Sequence, residues 1–250
     1  MFLFAFITFC LGAILGSFIN ALSFRWGTGV SVVNGRSRCM HCGHTLSAFD
    51  LVPIFSWIAL RGRCQYCGAR ISWQYPLVEL TGALLSLGAY FVNSDPLSYV
   101  LLLLVLMTTL FIAVYDVRHK IIPLSASLWL MALVAADRFF AGGVFFALID
   151  GLLLAAPLLL ISFFSGGRWM GWGDGILEIS LGWLLGLTVG LTAFMFAFWS
   201  GACVGIALLY LRRGVTMRSE VPFAPFLIFG AWAALLFHVD LFQALPALLP

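Results

Sequence analysis

The stretch Gly171-Trp172-Gly173-Asp174 places a single carboxylate at the start of a long apolar run. An ionisable side chain at the edge of a membrane span is costly, so such a residue is a functional-site hypothesis by default. The flanking glycines lack a Cβ atom, which lets a second backbone or a substrate approach closely. The alternative is that Asp174 only caps a helix or lies in a solvated loop, because helix starts favour Asp.

Asp116 is the best candidate for a partner of Asp174. It follows the apolar run 99–115 and begins the polar stretch Asp116-Val117-Arg118-His119-Lys120. Two carboxylates that lie together can share one proton, so that the ionised one activates water and the protonated one polarises an amide carbonyl. The pair therefore predicts aspartic-protease chemistry, with the same alternative for Asp116 of a helix cap or a loop residue.

The composition indicates an all-α protein that crosses a membrane several times. Of its 250 residues 63% are hydrophobic and 9% charged, and the mean hydropathy is +1.08, far from soluble globular norms. A helical span needs about 20 apolar residues, and eight runs qualify, 2–24, 77–92, 97–115, 121–136, 142–164, 175–190, 191–211 and 222–243. We predict a turn at Gly186 or Gly190, since the run from Ile176 is too long for one span.

These runs divide the chain into a first span (1–24), a loop (25–76) and a helical bundle (77–250). The first run has no basic segment before it and no clear cleavage site, so we interpret it as a retained span. Its small residues Gly12, Gly16 and Ser17 favour close helix packing. For Asn20 we expect an interhelical hydrogen bond. We expect no internal repeat and no low-complexity linker.

The basic residues predict the orientation, because cytoplasmic loops carry the excess of Lys and Arg. With the N-terminus outside and eight spans, all of the 13 lysines and arginines except Arg138 lie in the cytoplasm. The net charge of +3 thus reflects orientation and does not indicate nucleic-acid binding. The same map puts Asp116 and Asp174 at one cytoplasmic face. We expect structural roles for Asp150, nearer the outside, and for Glu178, which could also tune the pair.

The loop carries two C-x-x-C pairs with 21 residues between them. The pairs contain four cysteines, Cys39, Cys42, Cys64 and Cys67. Four thiolates without an open position are typical of structural zinc, and a loop this short needs metal to fold. The alternative is two disulfides, which the reducing cytoplasm disfavours. We expect His41 and His44 to be bystanders.

Taken together, these motifs resemble those of the type IV prepilin peptidases, bacterial inner-membrane aspartic proteases that also methylate the N-terminus they create. Further segments share the resemblance, namely Gly16-Ser17-Phe18-Ile19-Asn20, Tyr75-Pro76-Leu77-Val78-Glu79-Leu80, Ile122-Pro123 and Val221-Pro222-Phe223-Ala224-Pro225-Phe226. The resemblance implies that Asp116 and Asp174 are catalytic and that the four cysteines bind zinc. The chain departs from the family pattern at Ile176, usually Lys, and at Ala224, usually Gly.

The resemblance also implies a reaction. The substrate is a type IV prepilin or a type II secretion pseudopilin, whose short basic leader ends in Gly and lies in the cytoplasm. S-adenosylmethionine donates the methyl group, with the loop as the expected contributor and Glu79 as one candidate residue. The sequence contains no Gly-rich phosphate loop. A different interpretation is a zinc-containing transporter or sensor in which Asp116, Asp150 and Asp174 form an ion path, which requires carboxylates stepped across the bilayer.

Overall fold

The structure is a computed structural model that describes residues 2–29, 31, 35–93, 95–141, 144–211 and 221–244. The described residues form helices and turns, with two isolated β-bridges and no strand. The longer helices are α1 (Phe2–Arg25), α3 (Gln74–Val92), α4 (Pro96–His119), α5 (Leu124–Ala141), α6 (Val144–Ser165), α7 (Trp172–Leu185), α8 (Leu187–Leu211) and α9 (Ala224–Leu236). Two short helices, α2 (Phe55–Ala59) and α10 (Leu241–Ala244), and a 3₁₀ turn, Phe49–Leu51, complete the fold.

Each predicted apolar run overlaps one of these longer helices, and the prediction of an all-α polytopic membrane protein is confirmed. Among the described residues, five helices are long and apolar enough to cross a bilayer, α1, α3, α4, the part Leu148–Ser165 of α6, and α8. Helices α7 and α9 have 14 and 13 residues, or about 20 Å each. The count of eight spans therefore stays a prediction. Ser94, Arg212, Arg213 and Arg218 lie outside the described residues.

The turn that was predicted within the long run 176–211 lies at Gly186 in the structure. This residue ends α7 with φ +75°, a conformation that suits a residue without a Cβ atom, and α8 begins at the next residue. Gly190 lies inside α8, where the side chain of Leu154 from α6 packs on it. The span predicted to begin at residue 191 thus starts four residues earlier, because Gly190 serves helix packing and not the turn.

The chain forms two compact units, unit 1 (Met1–Val114) and unit 2 (Tyr115–Pro250), and the division falls within α4. In unit 1, α1 packs along α3. Gly12 and Gly16 provide the close contact that the sequence predicts, because a Cβ atom on either would meet backbone atoms of α3. Asn20 is buried, and its amide donates to the Tyr75 carbonyl at 3.3 Å. Its predicted interhelical hydrogen bond is confirmed.

In unit 2, α7 is the central helix. It packs against α5, α6 and α9, while α8 packs against α9. Small residues again permit close contact, since a Cβ atom on Gly182 would lie 2.6 Å from the Cα atom of Gly151 in α6. The packing holds both ends of α7 in place, and one of these ends carries Asp174.

Candidate active and metal sites

Asp116 lies in the last turn of α4 and is 4% exposed. Just beyond it the helix ends, where Lys120 adopts φ +54° and donates its N–H to the Asp116 carbonyl at 2.7 Å. The Asp116 carboxylate accepts a hydrogen bond from the backbone N–H of Ala224. The first residue of α9 therefore reaches the end of α4 through its main chain.

Asp174 lies in the first turn of α7 and is 9% exposed. The backbone N–H of Gly171 lies near its carboxylate. The buried hydroxyl of Ser162 in α6 donates to the carbonyls of Met170, at 3.0 Å, and Gly171, at 3.3 Å. Ser162 thus ties the turn before Asp174 to α6. The sequence analysis missed this residue, because a serine inside an apolar run carries no distinctive signal.

The two carboxylates lie close enough in unit 2 for their charges to interact. Neither forms an ion pair among the described residues. Two buried carboxylates near each other repel when both are ionised, so they can share one proton. A pair that shares a proton suits acid-base catalysis on an amide. Both side chains are buried near each other, and their catalytic role stays a prediction.

The glycines beside Asp174 permit close packing of side chains. A Cβ atom on Gly173 would lie 3.0 Å from the Cβ atom of Ile122, and one on Gly175 would lie 2.8 Å from Cγ of Leu159. The expectation was close approach of a backbone or a substrate, and the neighbours found are apolar side chains. The segment after Asp116, which contains Ile122, is thereby packed against the segment that contains Asp174.

Two further acidic residues of unit 2, Glu178 and Asp150, differ in their position relative to this pair. Glu178 is buried one helical turn beyond Asp174 on α7. Asp150 in α6 lies at the opposite end of α7, where its Oδ2 atom would be 3.6 Å from a Cβ atom on Gly186. That end is about 18 Å from Asp174 along the helix. Asp150 therefore does not join the carboxylate pair.

The two departures from the family pattern leave the pair in place. Ala224 contacts Asp116 through its backbone N–H, which an alanine and a glycine share. Ile176 is half-buried in α7 two residues after Asp174, a spacing that puts it on a different helix face. A lysine there would bring a positive charge near the helix start, and the isoleucine does not.

In unit 1, the four loop cysteines form a compact cluster of free thiols. The Sγ atoms of Cys39, Cys42, Cys64 and Cys67 all lie within 4.8 Å of one another. Tetrahedral zinc with Zn–S bonds of about 2.3 Å needs sulfurs about 3.8 Å apart, and Cys39 and Cys67 are separated by 3.9 Å. The donor set and its spacing therefore fit a zinc ion. Neither His41 nor His44 belongs to the cluster.

Main-chain geometry prepares the cluster for metal. The backbone N–H groups of Cys42 and His41 lower the pKa of the Cys39 thiol to about 6, which favours the thiolate that binds metal. Behind the cluster, the Asp50 carboxylate accepts the N–H and the hydroxyl of Ser47, both at 2.8 Å, and the Tyr66 hydroxyl at 3.3 Å. The N–H of Ser47 holds the pKa of Asp50 below its usual range.

The expectation of no internal repeat is wrong for this loop. Each cysteine pair is preceded by Arg and followed by Gly, as Arg38 to Gly43 and as Arg63 to Gly68. In each copy the glycine has positive φ and donates to the carbonyl of the first cysteine at 2.9 Å. The six-residue repeat R-C-x-x-C-G is visible in the sequence and encodes two matching knuckles.

The helices, the buried carboxylate pair and the four-cysteine loop define a class of polytopic membrane protein with a candidate hydrolytic site and a candidate metal site. Residues 10–92 match the family described as Bacterial Peptidase A24 N-terminal domain. No solved structure matches the chain.

Among curated proteins, similarity extends over most of the chain. It is 33% identical to a protein of Dichelobacter nodosus, across 83% of this chain and 73% of that protein. It is 36% identical to a protein of Myxococcus xanthus, across 87% of this chain and 67% of that protein. It is 31% identical to a protein of Bacillus subtilis, across 92% of this chain and 93% of that protein. Each of the three is named prepilin leader peptidase/N-methyltransferase. The chain therefore belongs to the prepilin leader peptidase/N-methyltransferase family, as the resemblance predicted.

Proposed function

We propose that this chain is an aspartic endopeptidase that removes the basic leader from type IV prepilins or type II secretion pseudopilins. The observation that carries the proposal is the pair Asp116 and Asp174, buried together at adjacent helix ends of unit 2. The names of the relatives supply the substrate class. The same names support a second reaction, methylation of the new N-terminus.

In the proposed reaction the two carboxylates share one proton. The ionised carboxylate takes a proton from water, and the resulting hydroxide attacks the scissile carbonyl carbon. The protonated carboxyl donates to the carbonyl oxygen, which gives a tetrahedral intermediate. The carboxyl that took the proton from water then passes it to the amide nitrogen as the C–N bond breaks, and the other carboxylate takes its proton back from a hydroxyl of the intermediate. The leader is thereby released with a new carboxyl terminus, and the rest of the substrate keeps the new amine. The backbone N–H groups of Ala224 and Gly171 lie near Asp116 and Asp174 respectively, where they can orient the carboxylates during these steps.

The depth of the carboxylates suits this substrate. Asp116 ends α4 and Asp174 begins α7, so both lie at helix ends. The distribution of basic residues supports a location at the cytoplasmic face of the bacterial inner membrane. A prepilin with its basic leader in the cytoplasm and its apolar helix in the bilayer presents the scissile bond at this depth.

Unit 1 has the complementary roles in this proposal. Zinc held by the four cysteines stabilises loop 25–76, since a short loop gains folding free energy from metal. We assign the methyl-transfer region to this loop and the peptidase to the bundle 77–250. S-adenosylmethionine, when bound, supplies an electrophilic methyl group.

Replacement of either aspartate by its isosteric amide tests the peptidase. Asp116→Asn and Asp174→Asn should each lower the rate of leader cleavage by about a thousandfold or more, because an amide cannot serve as the base. The double variant should be little worse than either single one, since residues that act as a unit are non-additive. Mass spectrometry of a prepilin incubated with purified enzyme measures leader loss.

Asp150→Asn is the matched control, because Asp150 is a carboxylate of the same bundle at the other end of α7. This variant should keep most of the activity, and all variants should remain inserted and zinc-loaded. Cleavage near the parent rate by Asp116→Asn or Asp174→Asn would show that the mechanism is wrong.

A further inference from the structure

Unit 1 contains a cavity of about 490 Å³ between the cysteine loop and the helix pair α1 and α3. This volume is in the range of sites for small molecules. Loop residues and the cytoplasmic ends of the two helices form its walls, and neither Asp116 nor Asp174 contributes to them. The cavity is therefore separate from the carboxylate pair, and the proposed peptidase reaction does not use it.

The walls combine three kinds of chemistry. Two aromatic residues, Trp57 and Tyr75, line the cavity, together with two arginines, Arg38 and Arg70, and the acidic residue Glu79. Aromatic walls suit a flat heterocycle, arginines suit a carboxylate, and a buried carboxylate suits a cation. A ligand that carries all three groups matches the cavity better than a purely apolar or a purely anionic ligand.

Glu79 is the buried charge among these groups. It is 7% exposed, and its Oε2 atom accepts the backbone N–H of Ile54 at 2.7 Å. The hydroxyl of Ser17 in α1 lies near this carboxylate. A charge so placed needs compensation, and these neutral groups supply no positive charge.

The partner of Glu79 on the loop has a strained backbone. Ile54 adopts φ +64°, which is rare for a β-branched residue. Such strain persists only where the surroundings hold it, and it clusters at functional sites. The bond between Glu79 and Ile54 thus fixes the loop over the cavity and fixes the carboxylate in its wall.

We propose that this cavity binds S-adenosylmethionine and that the Glu79 carboxylate faces its sulfonium centre. The inference rests on the methyl-transfer half of the proposed function, for which this donor is required. Arg38 and Arg70 lie on the loop side of the cavity, where they can hold the carboxylate of the donor. Trp57 and Tyr75 provide apolar walls for the adenine. The donor carries the three groups that the walls match.

Equilibrium binding to the purified full-length protein in detergent tests the charge of Glu79. The probes are S-adenosylmethionine and S-adenosylhomocysteine, which differ in that the second has a neutral thioether. Glu79→Gln retains an oxygen that accepts the Ile54 N–H, removes the charge and replaces the second oxygen by an NH2 group of similar size. It should weaken binding of S-adenosylmethionine about tenfold or more and leave that of S-adenosylhomocysteine nearly unchanged. Unchanged binding of both ligands, or an equal loss for both, would overturn the proposal.

A second variant tests the location without altering a charge. Ala21 of α1 lines the cavity, so Ala21→Phe should fill it and abolish binding of both ligands. Ala5→Phe is the matched control, since Ala5 is also half-buried in α1 but does not line the cavity. Zinc content and melting temperature confirm that each variant is folded. Binding by Ala21→Phe with the parent affinity would show that the donor binds elsewhere.

The parent protein separates failure of this inference from failure of the proposed function. Mass spectrometry of a prepilin incubated with the parent protein follows both the loss of the leader and the gain of one methyl group. A parent that neither cleaves nor methylates contradicts the proposed function. A parent that does both, but whose donor affinity responds to neither Glu79→Gln nor Ala21→Phe, contradicts the donor site alone.

Discussion

At the scale of single residues, Gly16 determines how closely α1 and α3 approach. A Cβ atom there would lie 2.7 Å from the carbonyl oxygen of Val78 and 2.8 Å from the Cα atom of Glu79. Both neighbours are backbone atoms, so they cannot move aside as a flexible side chain does. The same contact holds Glu79 beside the cavity of unit 1.

We therefore expect Gly16→Ala to lower the free energy of unfolding by about 1–3 kcal/mol, the usual cost of overpacking. Thermal unfolding of the purified protein in detergent measures the effect. Gly205→Ala is the matched control, because Gly205 is also helical and no atom lies within 4 Å of its added Cβ atom. It should melt at or above the parent temperature, since alanine favours helix more than glycine does. Equal melting of the two variants would contradict the described contact.

Residue chemistry explains why one part of the candidate site was predictable. Asp116 and Asp174 stand out because carboxylates beside apolar runs are rare, and the basic residues predict that both lie at one membrane face. The contact from Ala224 was not predictable, because it uses a backbone N–H. Every residue except proline has that group, so the sequence carries no signal for it. The Pro222 and Pro225 pair indicated only that a helix starts there.

At the scale of elements, the two knuckles of the loop form one metal site from two copies of a motif. We expect about one zinc ion per purified chain, measured by mass spectrometry of the metal. Cys39→Ser and Cys64→Ser each remove one ligand from a different knuckle, so both should lower the zinc content. Because metal binding contributes folding free energy, both should also make loop 25–76 more sensitive to protease.

Cys203→Ser is the control for these substitutions, since Cys203 lies on α8 and outside the cluster. It should retain the zinc content and the protease resistance of the parent. Full zinc occupancy in Cys39→Ser or Cys64→Ser would argue against a site of four thiolates.

The long helices were predictable because a bilayer demands long apolar runs. The ends of these helices were less predictable. Helix α3 begins at Gln74 and α4 continues to His119, so each extends beyond its apolar run, because polar residues continue a helix at the membrane edge. The turn at Gly186 was one of two alternatives, since both glycines can adopt positive φ. The short helix α2 was not predicted, because five residues carry no clear period.

At the scale of the whole molecule, the number of spans and their orientation are linked. The basic residues predict that the segment before α7 and the segment after α8 are both cytoplasmic, which requires α7 and α8 to be separate spans. The turn at Gly186 supports this separation, and the 14 residues of α7 argue for a short span. The sequence alone could predict orientation, because the positive-inside rule depends on charge and not on packing.

Thiol labelling tests the orientation. In intact spheroplasts, a membrane-impermeant maleimide should react with Asp95→Cys, in the turn before α4, and leave the exposed loop residues Cys42 and Cys67 unlabelled. The parent protein is the control for background from Cys10 and Cys203. Detergent with a zinc chelator should then make the loop thiols reactive, because it opens the membrane and removes the metal. Loop labelling from outside together with a protected Asp95→Cys would invert the map and place Asp116 and Asp174 opposite the prepilin leader.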